Sequence, residues 1–263
     1  MWRKTKWKSP LALAPPFKFA MAGLNGADRS YLVDLPMLQC NLRKSLKASA
    51  ELEYQMNVNS DDAVNYNCTF VFVQEPYVSI TNSKIKLQYT PMNFISYVQS
   101  SFIKSLPEAK SGFDTWPRAA MFARRDVVSF FVPQFSSRDV CVIQTIINCR
   151  PTYLASGYLD QNVHDIPKSL VKLLDNLGNY GLILALDSKS HSTLWNCQMT
   201  TTRGEMVESM LAKYNLYLLN KGNTKTFIGS QGATIIDITV CDQLTSKYIS
   251  KWRVDLKENF SDH

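Results

Sequence analysis

The feature that most limits what this chain can fold into is a series of short, nearly unbroken apolar runs, each closed by polar residues. Thr69–Gln74 (TFVFVQ), Val140–Ile147 (VCVIQTII) and Gly181–Leu186 (GLILAL) are the clearest. They are too short for buried helices, and they lack the alternation of half-exposed strands. They read as strands covered on both faces. Pro36–Leu42, Ala119–Ala123, Val127–Val132, Thr152–Tyr158, Leu216–Leu219, Lys225–Ile228, Ile235–Val240 and Trp252–Leu256 extend the series. Helical spacing is confined to Ser45–Met56, Asp165–Leu177 and Gly204–Tyr214, which fall between strands. The expected architecture is a four-layer α/β sandwich, with two packed mixed β-sheets flanked by helices. Val78–Trp116 has no clear period and reads as surface loops or a variable insertion.

Composition narrows the class. With 263 residues and 45% hydrophobic content, the chain has material for a real core, and general disorder is excluded. The net charge of +7 points toward an anionic partner, but its location matters more than its size. Arg3, Lys4, Lys6, Lys8 and Lys18 lie in the first 27 residues, which hold no acid, so the rest of the chain carries only +2. Residues 1–35 are therefore expected to be a basic, flexible leader, and residues 36–263 the folded domain. Leu11–Ala14 is a poor secretory signal, being short and broken by Pro15 and Pro16. No apolar window is long enough to span a membrane. The six cysteines include no C-x-x-C pair and are joined by only three histidines, which disfavours a zinc cage. They read as reduced, mostly buried thiols of an intracellular protein.

Polar residues gather where the apolar runs end. Asn41 follows Met37–Cys40, and Gln74-Glu75-Pro76-Tyr77 follows Phe70–Val73. Tyr158 and Asp160 close one run and Asp187 another, Asp237 lies within Ile235–Val240, and Asp262-His263 stand last. A single acid at a strand end is ordinarily a solvated turn residue. Carboxylates, an amide and an imidazole brought to one rim would instead suit a hydrated magnesium ion and water-mediated attack on a phosphate.

The order and wording of these residues resemble the endonuclease/exonuclease/phosphatase superfamily. More narrowly they are similar to the apurinic-endonuclease-like domain of insect non-LTR (LINE-type) retrotransposons. The resemblance is carried by Leu38–Ser45 (LQCNLRKS), Val73–Tyr77 (VQEPY), Pro117–Ala119, Ser137–Asp139 and Ala155–Asp160 (ASGYLD). Asp187–Ser192 (DSKSHS) with Leu194-Trp195, Arg203-Gly204, Asn220, Gly222, Thr226-Phe227, Ile236–Thr239, Trp252 and Ser261-Asp262-His263 complete it. It covers residues 36–263, with Val78–Trp116 adding little. It implies a Mg2+ (or Mn2+) endonuclease that nicks one strand of double-stranded DNA for target-primed reverse transcription. Such a domain would be monomeric, part of a larger reverse-transcriptase polyprotein, and nuclear when acting on DNA. Glu75 would be the main metal ligand, with Asn41 and Asp262 supporting it. Tyr158 would donate to a phosphate oxygen, and Asp187 would orient or deprotonate the attacking water. Asp237 would fix the tautomer of His263, whose other ring nitrogen faces the phosphate. Arg43, Lys44, Arg118, Arg138 and Arg203 are the implied DNA contacts, and Lys221–Lys225 a basic stretch near the cleft.

Two departures stand out. The family carries Asn two residues after the catalytic Asp, where this chain has Lys189. Lysine offers three donors, no acceptor and a flexible stem, so it cannot copy the amide. It is expected to pair with Asp187 and weaken catalysis. The family's SDH motif also opens onto a further strand. With His263 as the final residue, that last strand is expected to be missing and the fold truncated. Two alternatives remain beside the endonuclease: an inactive remnant that keeps the fold and binds DNA, and a phosphatase of the same superfamily.

Overall fold

The computed structural model describes residues 11–21, 31–57, 68–81, 84–99, 116–230, 232–249, 251–255 and 260–263. Two six-stranded sheets dominate them. The first contains β1 (Leu11–Met21), β2 (Tyr31–Asn41), β3 (Phe70–Gln74), β6 (Phe94–Tyr97), β7 (Ala119–Arg124) and β16 (Arg253–Asp255). Their order is β16-β1-β2-β3-β7-β6. The second contains β8 (Ser129–Phe131), β9 (Val140–Ile147), β10 (Arg150–Tyr158), β11 (Gly181–Asp187), β12 (Leu216–Leu218) and β15 (Asp237–Asp242), in the order β12-β15-β11-β10-β9-β8. Each sheet holds one parallel pair, β2·β3 and β10·β11, amid antiparallel neighbours. A parallel pair needs a crossover, which α1 (Leu46–Asn57) and α2 (Lys168–Asp175) supply.

Alternation along the strands builds the layers. Phe70 and Phe72 face the core between the sheets, with Met37, Met121, Ile143, Leu154, Ile183 and Trp252. Val71 and Val73 face the other way, onto Ala48, Leu52 and Met56 of α1. In the second sheet Leu182, Leu184 and Leu186 pack against Leu170 and Leu173 of α2 and Val207 and Leu211 of α3 (Thr202–Lys213). The central strands β3, β7, β10 and β11 are covered on both faces, which is why they are continuous apolar runs. The expected α/β sandwich is the fold observed. All six cysteines are free thiols, and Cys40, Cys68, Cys141 and Cys241 are buried. No helix among the described residues is long and apolar enough to cross a membrane.

Three features differ from the sequence reading. Leu11–Met21 is not a loose arm but a strand antiparallel to β2, so the boundary expected after residue 35 falls inside β2. The basic residues Arg3–Lys8 lie outside the described residues. Within Val78–Trp116, read as loops, lie the hairpin β4 (Val78–Thr81)·β5 (Lys84–Leu87) and the edge strand β6. Strands of four residues are too short to show a period. A second hairpin, β13 (Phe227–Gly229)·β14 (Gly232–Thr234), contains a Gly-Ala-Thr strand with no apolar signal.

The sheets are bolted together by buried polar groups below the rim. Gln39 Nε2 donates to Leu186 O at 3.1 Å, and Thr239 Oγ1 donates to Gln39 Oε1 at 2.9 Å. Gln74 Nε2 donates to Ser156 Oγ at 2.9 Å, and Ser156 Oγ donates to Val73 O at 2.8 Å. Trp252 Nε1 donates to Thr239 Oγ1 at 3.1 Å. These bonds cross between sheets with fixed geometry, so they set the register in which the strand ends face each other.

Candidate active site

The carboxyl ends of the two parallel pairs meet at one rim. Asn41 and Gln74 are register partners at the end of β2·β3, and Tyr158 and Asp187 are partners at the end of β10·β11. Asp187 is also the register partner of Asp237 on β15. The loop after Asp187 is held by Ser188, whose N–H and hydroxyl both donate to Ile236 O. Gly204 lets α3 approach this loop, since a Cβ there would stand 1.9 Å from His191 O.

Asn41 links the halves. Its Nδ2 donates to Asp187 Oδ2 at 2.6 Å and to Glu75 Oε2 at 3.1 Å, while Oδ1 accepts from Arg43 N at 2.7 Å. Asp187 and Asp237 are facing carboxylates with Cβ atoms roughly 5 Å apart, an arrangement that repels unless cations intervene. Lys189 Nζ lies 2.8 Å from Asp187 Oδ2, and His263 Nδ1 lies 2.8 Å from Asp237 Oδ2. A carboxylate only accepts, so Nδ1 donates and Nε2 is left 3.5 Å from Lys189 Nζ. The Phe227 ring packs edge-on against His263 at 4.9 Å, and Ile228 N donates to Asp262 O at 2.7 Å. The β13·β14 hairpin thus pins the last residues.

Burial and charge pull against each other here. Burial raises the Asp187 carboxyl, while Lys189 and His263 pull it down, and the net shift is upward. For Lys189, burial lowers the ammonium, but Asp187 outweighs it and the net shift is upward. The two shifts disagree about where the shared proton rests. Two donors, the Asn41 amide and the Lys189 ammonium, converge on Asp187 Oδ2, and that geometry favours the ionised pair. Burial likewise lowers His263, and Asp237 more than restores it, leaving it raised. Burial and the Glu75 charge push the Tyr158 hydroxyl up to about 12, so it stays a donor at neutral pH.

The other expected residues fall into place differently. Asp262 is ion-paired with Arg43, whose side chain is 62% exposed. Arg118 is only 11% exposed and spends its guanidinium on Asp139 and Asp160, both at 2.6 Å, while stacking over the Tyr158 ring at 4.6 Å. Arg138 joins the same acids at 3.3 and 3.7 Å. Arg203 donates to the carbonyls of Ser188, Asp160 and Val163. Four of the five basic residues read as DNA contacts therefore have internal partners, and Arg43, paired with Asp262, stands at the rim beside Lys44. The roles of Arg118 beneath Tyr158 and of Phe227 against His263 escape sequence reasoning. The one hint for Arg118 is its place directly before the buried run Ala119–Ala123.

Four non-glycine residues of the rim, Arg43, Lys44, Glu75 and Lys189, have left-handed backbone, with φ of 51°, 52°, 47° and 46°. Such conformations are uncommon outside glycine and asparagine, and they gather where a site dictates the backbone. Glu75 is tied down by its N–H to Arg118 O and by its carbonyl to Lys44 N. Its carboxylate has no cation within ion-pair distance among the described residues, so it fits a hard divalent ion best. Asp187, Asp237 and His263 form a second metal-capable group, with ligand atoms within 4.8 Å of one another. Asp237 Oδ1 is buried there without a hydrogen-bond partner.

Comparison with known proteins bears on the fold that carries these residues. Residues 152–263 match the family described as endonuclease-reverse transcriptase. Among solved structures, the endonuclease domain of TRAS1, a telomere-specific non-LTR retrotransposon, aligns with a TM-score of 0.66 at 22% identity, covering 86% of this chain and 93% of that one. An endonuclease/exonuclease/phosphatase family protein from Leptotrichia buccalis aligns at 0.48 and 12% identity, over 80% and 88% of the two chains. The human Nocturnin catalytic domain aligns at 0.49 and 12%, over 87% and 90%. No curated protein matches the chain. The class is therefore the endonuclease/exonuclease/phosphatase fold. Within it, residues 152–263 are similar to the endonuclease-reverse transcriptase family, and the fold is similar to that of the TRAS1 endonuclease domain.

Proposed function

We propose that this domain hydrolyses phosphodiester bonds of double-stranded DNA, nicking one strand to provide the 3′-hydroxyl for target-primed reverse transcription. The observation that carries the reading is the meeting of Asn41, Glu75, Tyr158, Asp187, Asp237 and His263 at one rim, from strands of both sheets. A Mg2+ or Mn2+ ion held by Glu75 would neutralise charge on the phosphate and the leaving oxygen. Asn41 fixes Glu75 and Asp187 relative to each other. Tyr158 donates to a phosphate oxygen, and Asp187 orients the attacking water. Asp237 sets the ring of His263 so that Nε2 faces the rim. The setting is a reverse-transcriptase polyprotein acting on nuclear DNA.

Lys189 restrains this chemistry. Its ammonium occupies Asp187 Oδ2, the oxygen a water would need. Losing one positioned amide at such a site costs about 10²–10³ in rate. Mg2+-dependent relaxation of supercoiled plasmid is expected to be slow for the wild type and faster by that factor for Lys189→Asn. Equal rates would refute the restraint, and absence of nicking in both would refute the nuclease reading. The same ion pair favours a second reading, an inactive domain that retains DNA binding. It predicts a gel shift with duplex DNA but no relaxation by either form.

A further inference from the structure

The arginines nearest the rim are engaged by their own chain, but another segment keeps its cations free. Between β15 of the second sheet and β16 of the first, residues 243–253 hold Lys247, Lys251 and Arg253 and no acid. These contribute +3, while residues 28–263 together carry +2, so the rest of that span sums to −1. All three side chains are exposed and make no ion pair among the described residues.

The segment is anchored so as to present them. Asp242 caps α4 (Gln243–Ser246) by accepting from Leu244 N and Thr245 N. Thr245 is buried, Ile249 packs on the core between the sheets, and Trp252 Nε1 donates to Thr239 Oγ1. With these three turned inward, Lys247, Tyr248, Lys251 and Arg253 face solvent. The edge strands β12 and β16 close the same side of the sandwich, and α4 packs against β12. Tyr217, on β12, and Tyr248 expose 44% and 37% of their surface. β15 starts at Asp237 on the rim and ends at Asp242, roughly 17 Å away, so α4 begins well apart from the cleft.

Free cations beside exposed aromatic rings suit one kind of partner. Lysine and arginine neutralise backbone phosphates, and tyrosine rings stack on bases that no duplex already stacks. We propose that residues 243–253 and Tyr217 form a binding surface for single-stranded nucleic acid. Lys247, Lys251 and Arg253 take its phosphates, and Tyr217 and Tyr248 take its bases. A duplex offers the cations phosphates but offers the tyrosines nothing, so the surface favours single strands. It is separate from the rim and does not depend on cleavage there.

The test is fluorescence anisotropy of a labelled oligothymidylate of about 20 nucleotides, titrated with the full chain in EDTA, beside a duplex of equal length. Lys247→Gln, Lys251→Gln and Arg253→Gln combined should weaken single-strand binding about tenfold or more. The salt slope should fall by about 2, since each lost phosphate contact removes about 0.7. Tyr217→Ala with Tyr248→Ala should weaken it by a similar factor at an unchanged slope, and leave duplex binding as it was. Lys47→Gln, Lys168→Gln and Lys172→Gln combined change the net charge equally on the outer helices, and should bind as the wild type does. In the wild type, 5-iodouracil in the same oligonucleotide should photocrosslink to Tyr217 or Tyr248, a readout that needs no variant. No single-strand binding by the wild type, wild-type affinity in the charge variant, equal weakening in the helix variant, or crosslinks confined to Arg3–Lys8 or the rim would each overturn the proposal. A chain that nicks plasmid but binds no single strand sinks only this surface.

Discussion

The two sheets bring the same kind of group to the rim in opposite electrostatic states. The first sheet delivers Glu75, which accepts from an amide and meets no cation among the described residues. The second delivers Asp187 and Asp237, each already joined to a cation of its own chain. Their main-chain settings are alike, since both halves present the carboxyl ends of a parallel pair. The difference lies in side chains two and twenty-six residues away, Lys189 and His263. Strand topology therefore decides where an acid stands, and its neighbours decide whether the acid is available.

The largest expected effect breaks the open half. Glu75→Gln should reduce Mg2+-dependent nicking by about 10³ or more, roughly 4 kcal/mol of barrier. Plasmid relaxation measures it, ideally in the faster Lys189→Asn background. If nicking persists, the contrast between the halves is wrong. Next comes the bolt that joins them. Gln39→Leu strips the donor from Leu186 O and the acceptor from Thr239, and should lower stability by about 2–3 kcal/mol in urea unfolding.

A smaller effect separates Asp237 from Asp242 at the other end of the same strand. Asp242 accepts from Leu182 N, Leu244 N, Thr245 N and Arg150, and although burial raises its carboxyl, these donors hold it below the ordinary 3.8. A depressed folded value means the stabilisation is present above the unfolded pKa and lost as pH falls through the folded one. Asp242→Asn should thus cost about 1–2 kcal/mol at pH 7, with the gap to wild type closing below pH 3.8. A gap that stays constant would remove Asp242 as the satisfied counterpart of Asp237. The smallest effect concerns the β9–β10 turn, where Asn148 and Cys149 are also left-handed. Cys149→Gly should raise stability by about 0.5–1 kcal/mol without changing nicking, since strain there serves only a hairpin. Altered nicking would tie that turn to the rim.

Much of the fold was legible because burial on both faces writes itself as apolar runs. Val140–Ile147 is read to the residue, and Gly181–Leu186 misses β11 only by Asp187. The β6 edge strand and the Gly232–Thr234 strand were not, because short segments paired by neighbours need no pattern of their own. At the site, the residue set was legible only through the resemblance. Nothing local in Asp187 or Asp237 says that they face each other across β11·β15. Lys189 was legible as a departure and as a partner for Asp187, but its closeness to His263 was not. The ion pairs of Arg118 were not legible because its partners, Asp139 and Asp160, lie 21 and 42 residues along the chain, and only folding brings them together.

The left-handed backbone at Lys189 has an evolutionary consequence. Asparagine is among the few side chains at ease in that conformation. Lysine and asparagine codons differ only in their third base. A single nucleotide substitution would therefore exchange the ammonium for an amide on a backbone that need not move. In genetic terms one base separates the two side chains, and either can stand on the same left-handed backbone.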